Sequence, residues 1–207
     1  DGNVAKTLVN LGIVYLIQDK RDEAIACYEK SLEIFCCLGD EYNVAKTLVN
    51  LGNVYQVQGK WDEAITCYEK SLEADRRLGD DNGIAKTLNN WGLLYRDRGE
   101  QDKAIYLHEQ SLEIYRRLKD DRGIAFTLEK LGSVCEDKGK LKEAISYYEQ
   151  SFKIYRRLGD HHSVGTIFAN LGVLFTRFNQ PEQARTFWQE ALTYLHPLPP
   201  SKPSSSG

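Results

Sequence analysis

Residues 44–79 read VAKTLVNLGNVYQVQGKWDEAITCYEKSLEADRRLG, and a related stretch recurs forty residues away in either direction. A glycine preceded by leucine or tryptophan recurs at this interval. The five copies are Gly12, Gly52, Gly92, Gly132 and Gly172. An alanine follows each glycine twelve residues later, from Ala24 to Ala184. A fixed period of this length is typical of stacked structural repeats, in which each unit contacts its neighbours. The sequence therefore predicts one array of five repeats.

The period divides the chain into five repeats and a tail. The repeats are 1–40, 41–80, 81–120, 121–160 and 161–196, and the tail is 197–207. Because the tail contains little besides proline and serine, we expect it to be extended and disordered. The chain begins in repeat register with Asp1, so we expect it to be part of a longer protein.

Each repeat contains two stretches with the spacing of an amphipathic helix. In the first repeat, apolar or small residues recur at intervals of three and four along residues 4–15 and again along residues 24–38. Gly39 suits a left-handed C-terminal cap, and Asp40 can cap the next helix through its carboxylate. Gly12 and Ala24 are small where the two helices would approach most closely. The pattern predicts an all-α protein of antiparallel hairpins, each with a first helix A and a second helix B.

Leu-Gly-x-x-Tyr, with Ala nine residues later, Tyr after four more and then Ser-Leu, resembles the tetratricopeptide repeat over residues 1–196. The forty-residue period is similar to the longer repeats of kinesin light chains, Pins-type adaptors and bacterial signalling ATPases. The resemblance implies a right-handed superhelical solenoid of five antiparallel hairpins, with A helices lining a concave groove. It also implies a non-catalytic scaffold that captures a peptide or helix there. The alternative is a regulatory or sensor array of a larger multidomain signalling ATPase or adaptor.

The residues of helix A that would point into this groove are rich in lysine and asparagine. The lysines would favour acidic side chains or a carboxylate terminus, and an asparagine amide can pair with both the N–H and the C=O of a peptide backbone. The predicted peptide-binding residues are Lys6, Asn10, Lys46, Asn50, Asn53, Lys86, Asn90, Arg96, Lys130 and Asn170. The opposing interpretation is that the tenth-position asparagines bond only within the hairpin. The set departs from the carboxylate clamp of chaperone-binding relatives, since Val49 and Phe126 replace lysines.

The expected groove is uneven along the chain. The first repeat offers an apolar patch of Val9, Ile13, Leu16 and Ile17. The patch suits either the apolar end of a peptide or contact with a preceding repeat, and the sequence leaves both open. The middle repeats offer polar residues of mixed sign: Asn53, Gln56, Arg96, Asp97, Glu129, Glu136 and Asp137.

The terminal repeats carry apolar residues where an array would be expected to end in polar ones. In the first repeat these are Ile13, Leu16, Ile17, Ile34, Phe35, Cys36 and Cys37, and in the last repeat they are Phe187, Trp188, Tyr194 and Leu195. We therefore expect self-association through the terminal repeats, unless the parent protein covers these surfaces.

Charge and hydropathy argue for a protein or peptide partner. The net charge of −3 creates no field that favours nucleic acid or an anionic membrane. Three arginine pairs near the ends of B helices could track phosphates, but Asp-rich loops beside them favour solvated helix ends instead. No apolar run approaches the ~20 residues needed to span a bilayer. We therefore expect no membrane or nucleic-acid partner.

The sequence contains none of the common catalytic or phosphate-binding motifs. We therefore predict no enzyme activity, no cofactor and no metal site. Five cysteines, all inside predicted helices, do not resemble a secreted disulfide framework and favour the cytoplasm. Adjacent Cys36 and Cys37 are interpreted as partly buried filler.

Three single positions depart from the repeat pattern. Asp75 stands on an apolar stripe of helix B, where its carboxylate would either reach solvent or mark a local weakness. His108 is interpreted as a surface or edge residue of helix B. Pro181 is predicted to lie in the first turn of the last B helix, where proline is tolerated best.

Overall fold

The computed structural model describes residues 1–195, and every regular element within them is an α-helix. The helices are α1 (Gly2–Ile17), α2 (Arg21–Leu38), α3 (Glu41–Val57), α4 (Trp61–Leu78), α5 (Asp81–Asp97), α6 (Gln101–Leu118), α7 (Asp121–Asp137), α8 (Leu141–Arg157), α9 (His161–Arg177) and α10 (Pro181–Leu195). The prediction of an all-α helical repeat protein is confirmed, and α10 begins at the expected proline. The predictions for residues 196–207 lie outside the described residues.

The helices belong to two compact units, with α1 to α6 in the first and α7 to α10 in the second. Odd-numbered helices are the A helices and even-numbered helices are the B helices. Each A helix packs against the B helix that follows it. In the first unit α2 also packs on α3, and α4 on α5; in the second unit α8 packs on α9. The A helices touch as well, α3 with α5 and α7 with α9, which brings equivalent positions of successive repeats side by side.

Aspartate and glycine residues form the helix caps that the sequence predicts. The Asp40 carboxylate accepts a hydrogen bond from the Asn43 N–H at 3.1 Å, as predicted for an N-terminal cap. Gly39 ends α2 with a φ of 67°, the left-handed conformation that glycine adopts without steric cost. Asp80, Asp120 and Asp160 repeat the aspartate cap at later A helices.

The recurring glycine of helix A makes room for a ring from helix B. A Cβ atom on Gly52 would lie 2.8 Å from the Tyr68 ring, and one on Gly12 would lie 2.7 Å from the Tyr28 ring. The glycine was predicted to lie at the A–B contact, and this is confirmed; the group it accommodates is an aromatic side chain rather than the facing backbone. His108, Tyr148 and Trp188 occupy the equivalent position in the other hairpins.

A serine of helix B adds a hydrogen bond that the sequence analysis missed. The Ser31 hydroxyl donates to the Ala5 carbonyl at 3.0 Å, inside the hairpin core. Ser71, Ser111 and Ser151 donate in the same way to the equivalent alanine carbonyls. The bond helps to fix the register of B against A in the first four hairpins, because each buried hydroxyl meets the equivalent buried carbonyl. The signal was present in the sequence as the serine before Leu or Phe in these four repeats, whereas Ala191 replaces it in the fifth.

Several single-residue interpretations were wrong. His108 is fully buried, because its ring fills the space above Gly92 and its Nδ1 lies 2.8 Å from the Asn89 amide oxygen. Cys36 and Cys37 are exposed rather than partly buried, since the last turn of α2 projects into solvent. Phe35 is buried in the hairpin and does not belong to an exposed end surface.

Asp75 neither reaches solvent nor lies on the surface. Only 3% of its surface is exposed, and its carboxylate lies against Gly83 at the start of α5. The Ser71 and Thr87 side chains act to lower the pKa of this carboxyl. Burial nevertheless raises the pKa of Asp75 to about 6, and the negative charge of Asp80 adds to the shift.

Candidate functional site

Helix A presents a different surface in each of three directions, as α3 shows. Gly52 faces the ring of its own B helix, while Leu51 and Val54 are buried against the preceding repeat. Lys46 is exposed and Asn50 is half-buried on the remaining side. We call this remaining side the open face; it carries the sixth, tenth, thirteenth and seventeenth positions of each repeat.

The open face of the first unit carries a lysine on each of its three A helices. Lys6, Lys46 and Lys86 are all exposed, and none forms an ion pair with another of residues 1–195. The Lys46 ammonium lies 5.0 Å from the centre of the Tyr42 ring, which holds it near the start of α3. Because α3 and α5 are in contact, Lys46 and Lys86 occupy equivalent places on adjacent helices.

Asparagines lie one turn further along the same helices. Asn10 is exposed, and Asn50 and Asn90 are half-buried; Asn170 occupies the equivalent half-buried place on α9 of the second unit. Their amides form no hydrogen bond with the part of the chain that the structure describes. The bond within the hairpin, which the opposing interpretation requires, is therefore not present among residues 1–195.

The thirteenth and sixteenth positions of α3 are tied to the hairpin. The Tyr68 hydroxyl donates to the Asn53 amide oxygen at 2.7 Å and lies 3.0 Å from the Gln56 amide oxygen. The Gln56 amide nitrogen in turn donates to Asp97 of α5 at 2.6 Å. Burial raises the pKa of Tyr68 above its ordinary value, which is already well above neutral pH, so the phenol is protonated and can donate. Asn53 is thus engaged in the hairpin as well as lying on the open face, and Arg96 is half-buried beside this network on α5.

In the second unit, the lysine of the tenth position is neutralised by a neighbour. The Lys130 ammonium lies 2.9 Å from the Glu129 carboxylate and 4.6 Å from the centre of the Phe126 ring. Glu129 is buried, so it does not present a free carboxylate to a ligand. The predicted lysine at this position is therefore partly shielded, unlike the lysines of the first unit.

Glu136 was expected to be exposed in the groove, and this was wrong. Its carboxylate is buried, accepts a hydrogen bond from the Tyr148 hydroxyl at 3.2 Å, and pairs with Arg177 at 2.9 Å. Arg177 also pairs with Asp137 at 3.3 Å. These contacts join α7, α8 and α9, and they explain the mixed charges of this region as internal pairs.

The predicted apolar patch of the first repeat is divided: Ile13 and Ile17 lie on the open face, whereas Val9 and Leu16 are partly buried against the core between α2 and α3, so their assignment to the groove was wrong. Ile13 and Ile17 are exposed. Their equivalents on α3 are preceded by a repeat, yet Asn53 is only half-buried and Val57 is exposed. A preceding repeat would therefore leave these two positions accessible. The positions that a preceding repeat would cover are different ones, Leu11 and Val14, whose equivalents Leu51 and Val54 are buried.

Near the end of each of three B helices, one arginine of an adjacent pair forms an ion pair. The second arginine of each pair contacts an acid in the first turn of its own A helix. The pairs are Arg77 with Glu41 at 3.2 Å, Arg117 with Asp81 at 2.8 Å and Arg157 with Asp121 at 2.7 Å. The ion pairs account for three of these arginines without a phosphate ligand, as expected for solvated helix ends.

Among residues 1–195, no three His, Cys, Asp or Glu side chains converge in a way that could hold a metal ion. None of the helices described there is both long and apolar enough to span a bilayer.

The comparison with protein families identifies the repeat. Residues 43–117 and 123–195 match one tetratricopeptide repeat family model, and residues 5–35 match a second model of the same description. The comparison with curated protein sequences returned no match.

Solved structures similar to this chain match it at identities that show the fold alone. BtubC (BKLC) from P. vanneervenii superimposes with a TM-score of 0.82 at 18% identity, over 100% of this chain and 86% of its own. A protein of Podosopora anserina, named for kinesin light chain repeats, superimposes with a TM-score of 0.73 at 16% identity. The match covers 94% of this chain and 96% of that protein. A STAND signal transduction ATPase with a tetratricopeptide repeat sensor, from Pyrococcus horikoshii, gives 0.79 at 16% identity, covering 92% of this chain and 29% of that protein.

Proposed function

Because the chain belongs to the tetratricopeptide repeat family, we propose that it is a non-catalytic scaffold that captures a peptide through the open face of its A helices. Tetratricopeptide repeats are generally protein-interaction scaffolds. The observation that carries the proposal is the set of tenth-position asparagines. Asn50 and Asn90 lie on adjacent A helices with amides that form no hydrogen bond within residues 1–195. A half-buried amide on the surface of a helix is available to the main chain of an extended ligand.

The charge of the open face supports an acidic ligand in the first unit. Lys6, Lys46 and Lys86 project from three A helices and have no ion-pair partner among the described residues. A carboxylate placed between Lys46 and Lys86 would gain two charge-assisted contacts. The exposed Ile13, Ile17 and Val57 at the other end of the same A helices favour an apolar side chain in that part of the ligand. We therefore propose a peptide that is acidic at one edge and apolar at the other.

The test is equilibrium binding of fluorescent peptides, measured by polarisation with acidic, basic and apolar pools of a random library. The wild-type chain should bind the acidic pool with a lower Kd than the basic or apolar pool. We expect Lys46→Ala with Lys86→Ala to raise the Kd by roughly tenfold, because two charge-assisted contacts are lost. The matched control is Lys30→Ala with Lys70→Ala, which removes two exposed lysines from equivalent places on α2 and α4. Equal losses from both pairs would mean a general charge effect and would contradict a site on the open face.

The asparagines are tested separately with the peptide selected from the pools. Asn50→Ala with Asn90→Ala should weaken binding, while the melting temperature stays constant or rises slightly because alanine favours helix more than asparagine. A clear drop in melting temperature would instead indicate a structural role for these amides. Asn50→Asp with Asn90→Asp keeps the shape of the side chains but replaces the amide donors by negative charge. It should therefore weaken the binding of acidic peptides further than the alanine pair does.

The second candidate function is a sensor array within a larger signalling ATPase. It is supported by the similarity to the repeat sensor of the Pyrococcus horikoshii STAND protein, although the similarity itself extends only to the fold. In that case ligand capture on the open face would change nucleotide hydrolysis by a domain of the same parent protein. A parent gene that encodes no nucleotide-binding domain would contradict this candidate and leave the scaffold proposal standing.

We further propose that the chain works in the cytoplasm and that its terminal repeats mediate self-association. Exposed Cys36 and Cys37 support a reducing compartment, where adjacent thiols on a helix surface persist. Exposed apolar side chains at both ends of the chain support self-association, among them Leu11, Val14 and Leu192.

A further inference from the structure

The outer face of α1, made of Val4, Thr7, Leu11 and Val14, repeats a surface that is buried elsewhere in the chain. Its four residues are identical to their counterparts on α3, namely Val44, Thr47, Leu51 and Val54. Leu51 and Val54 are 5% and 2% exposed because α3 packs on α2 through them. Leu11 and Val14 are 39% and 45% exposed. The first repeat therefore presents an acceptor surface for a helix of the α2 type.

The outer face of α10, made of Ala184, Trp188, Gln189 and Leu192, corresponds to the surface that α2 offers to α3. On α2, Ala24 and Tyr28 form one buried cluster with Leu48, Leu51 and Val54 of α3, and Leu32 packs against the cluster. On α10, Trp188 and Leu192 occupy the places of Tyr28 and Leu32, and they are 42% and 60% exposed. The last repeat thus presents the other half of the same kind of junction.

Polar contacts of the α2–α3 junction also have counterparts at the two ends. The Tyr55 hydroxyl of α3 donates to the Glu29 carboxylate of α2 at 3.3 Å. The equivalent residues are Tyr15 on α1 and Gln189 on α10, and the glutamine oxygen can accept the same bond.

A second junction contact behaves in the same way. The Gln58 amide donates to the Asp22 carboxylate of α2 at 3.0 Å. The equivalent residues are Gln18 beyond α1 and Glu182 in α10, again a donor and a carboxylate acceptor. One position does not match, because Arg185 replaces the apolar Ile25, and its long side chain can cover apolar surface while the guanidinium stays in water.

We propose that the occupant of the α1 outer face is the α10 outer face of a second copy of this chain, so that copies associate head to tail. Apart from Arg185, the contact supplies apolar residues at the same places and can form both hydrogen bonds of a junction that the chain already uses between its first two repeats. It deepens the proposed self-association and does not depend on peptide capture, because neither outer face includes an open-face lysine or asparagine. A heterologous contact of this kind leaves one unpaired face at each end of the assembly. The number of copies in an assembly should therefore increase with protein concentration.

The experiment is sedimentation velocity on the 207-residue chain from low to high micromolar concentration, with one variant for each face. Leu11→Gln with Val14→Gln disables the α1 outer face, and Leu192→Glu disables the α10 outer face. The wild-type mass average should rise with concentration, and each variant should raise the Kd for association by at least about tenfold. Mixing the two variants should restore a single 1:1 heterodimer, because each retains one working face. Ile13→Gln with Ile17→Gln, on the open face of α1, is the matched control and should associate like wild type.

Each outcome decides between specific alternatives. A wild-type chain that stays monomeric at high concentration would overturn both self-association and the head-to-tail pairing. If Leu192→Glu associates normally while the α1 variant does not, copies pair through α1 alone and the role of α10 is wrong. Failure of the mixture to form heterodimer, when wild type associates, would also overturn the pairing. Leu192→Lys, with the opposite charge at the same exposed position, separates loss of the apolar contact from charge repulsion, and unchanged circular dichroism melting confirms that each variant is folded.

Discussion

The first and second repeats are the most informative pair of regions in this molecule, since 28 of their 40 positions are identical. Both fold into the same hairpin, with the same glycine under the same tyrosine ring. Yet identical side chains have different surroundings: Val54 is buried and Val14 is exposed. The local sequence thus determines the hairpin, whereas the neighbouring repeat determines which apolar residues are covered.

Seven of the twelve positions at which these two repeats differ lie in two regions, near the end of helix A and near the end of helix B. On the open face, Ile13 is replaced by Asn53, which changes an apolar surface into a hydrogen-bonded one. At the end of helix B, buried Phe35 is replaced by buried Asp75, and exposed Cys37 by the ion-paired Arg77. Most of these differences alter what each repeat offers to a ligand or a neighbour, whereas the replacement of Phe35 by Asp75 changes a buried position of the hairpin.

The largest expected difference in stability is between two variants that carry the same substitution at equivalent positions, one in each repeat. Val54→Gln should lower the free energy of unfolding by about 2–4 kcal/mol, because it buries an unpaired amide and loses apolar burial. Val14→Gln should change it by less than about 0.5 kcal/mol, because the side chain is exposed in the monomer. Chemical denaturation of dilute protein measures both. Equal losses would show that the α1 outer face is already covered in solution.

The second effect concerns the glycine that both repeats share. Gly52→Leu should lower the free energy of unfolding by about 1–3 kcal/mol, because its Cβ would overlap the Tyr68 ring. The cost should shrink in a Tyr68→Leu background, where the ring is absent, and a double-mutant cycle measures that coupling. Val57→Leu adds bulk at an exposed position of the same helix and should be neutral. If the cost of Gly52→Leu were the same in both backgrounds, the ring contact would not be its cause.

The hairpins could be predicted from the sequence because their signals are local and repeated five times. Gly12, Asp40 and Pro181 each specify a contact or helix end within a few residues or within one hairpin. The burial of His108 was missed although the repeat register places it where Tyr28 and Tyr68 pack over the glycine of helix A. The burial of Asp75 could not be predicted, because it depends on the packing of α5 against the end of α4. The internal pairing of Glu136 with Arg177 was missed for a similar reason, since the two residues are 41 positions apart. The ligand-binding role of Asn50 and Asn90 stays a prediction.

The third effect is a pH dependence that should distinguish the second repeat from the first. Burial raises the pKa of Asp75 from an ordinary 3.8 to about 6, so between these values the folded state binds a proton that the unfolded state has released. Its contribution to stability is therefore fully present below about pH 4 and is lost as the pH rises through about 6. We expect a loss of roughly 1–2 kcal/mol over this range.

The measurement for Asp75 is the difference in unfolding free energy between wild type and Asp75→Asn as a function of pH. The asparagine cannot ionise, so the variant should be the more stable protein at pH 7 and the difference should narrow toward pH 4. Subtraction removes the opposite trend of the capping carboxylates Asp40 and Asp160, whose pKa values are lowered by hydrogen bonds. A difference that is constant from pH 4 to pH 7 would contradict a raised pKa at Asp75.

The smallest expected effect concerns the ion pair that the second repeat has and the first lacks. Arg77 of α4 contacts Glu41 of α3 at 3.2 Å, whereas the equivalent residues of the first repeat are the exposed Cys37 and Asp1. Both partners of the pair are well exposed, so Arg77→Ala should cost about 0.5 kcal/mol or less at low ionic strength. The cost should vanish in concentrated salt, because screening acts on exposed charges. Arg76→Ala, which removes the adjacent arginine that has no ion pair within residues 1–195, is the control. A larger loss for Arg77→Ala that persists in salt would mean that its aliphatic stem packs on the hairpin, and that this contact distinguishes the second repeat from the first.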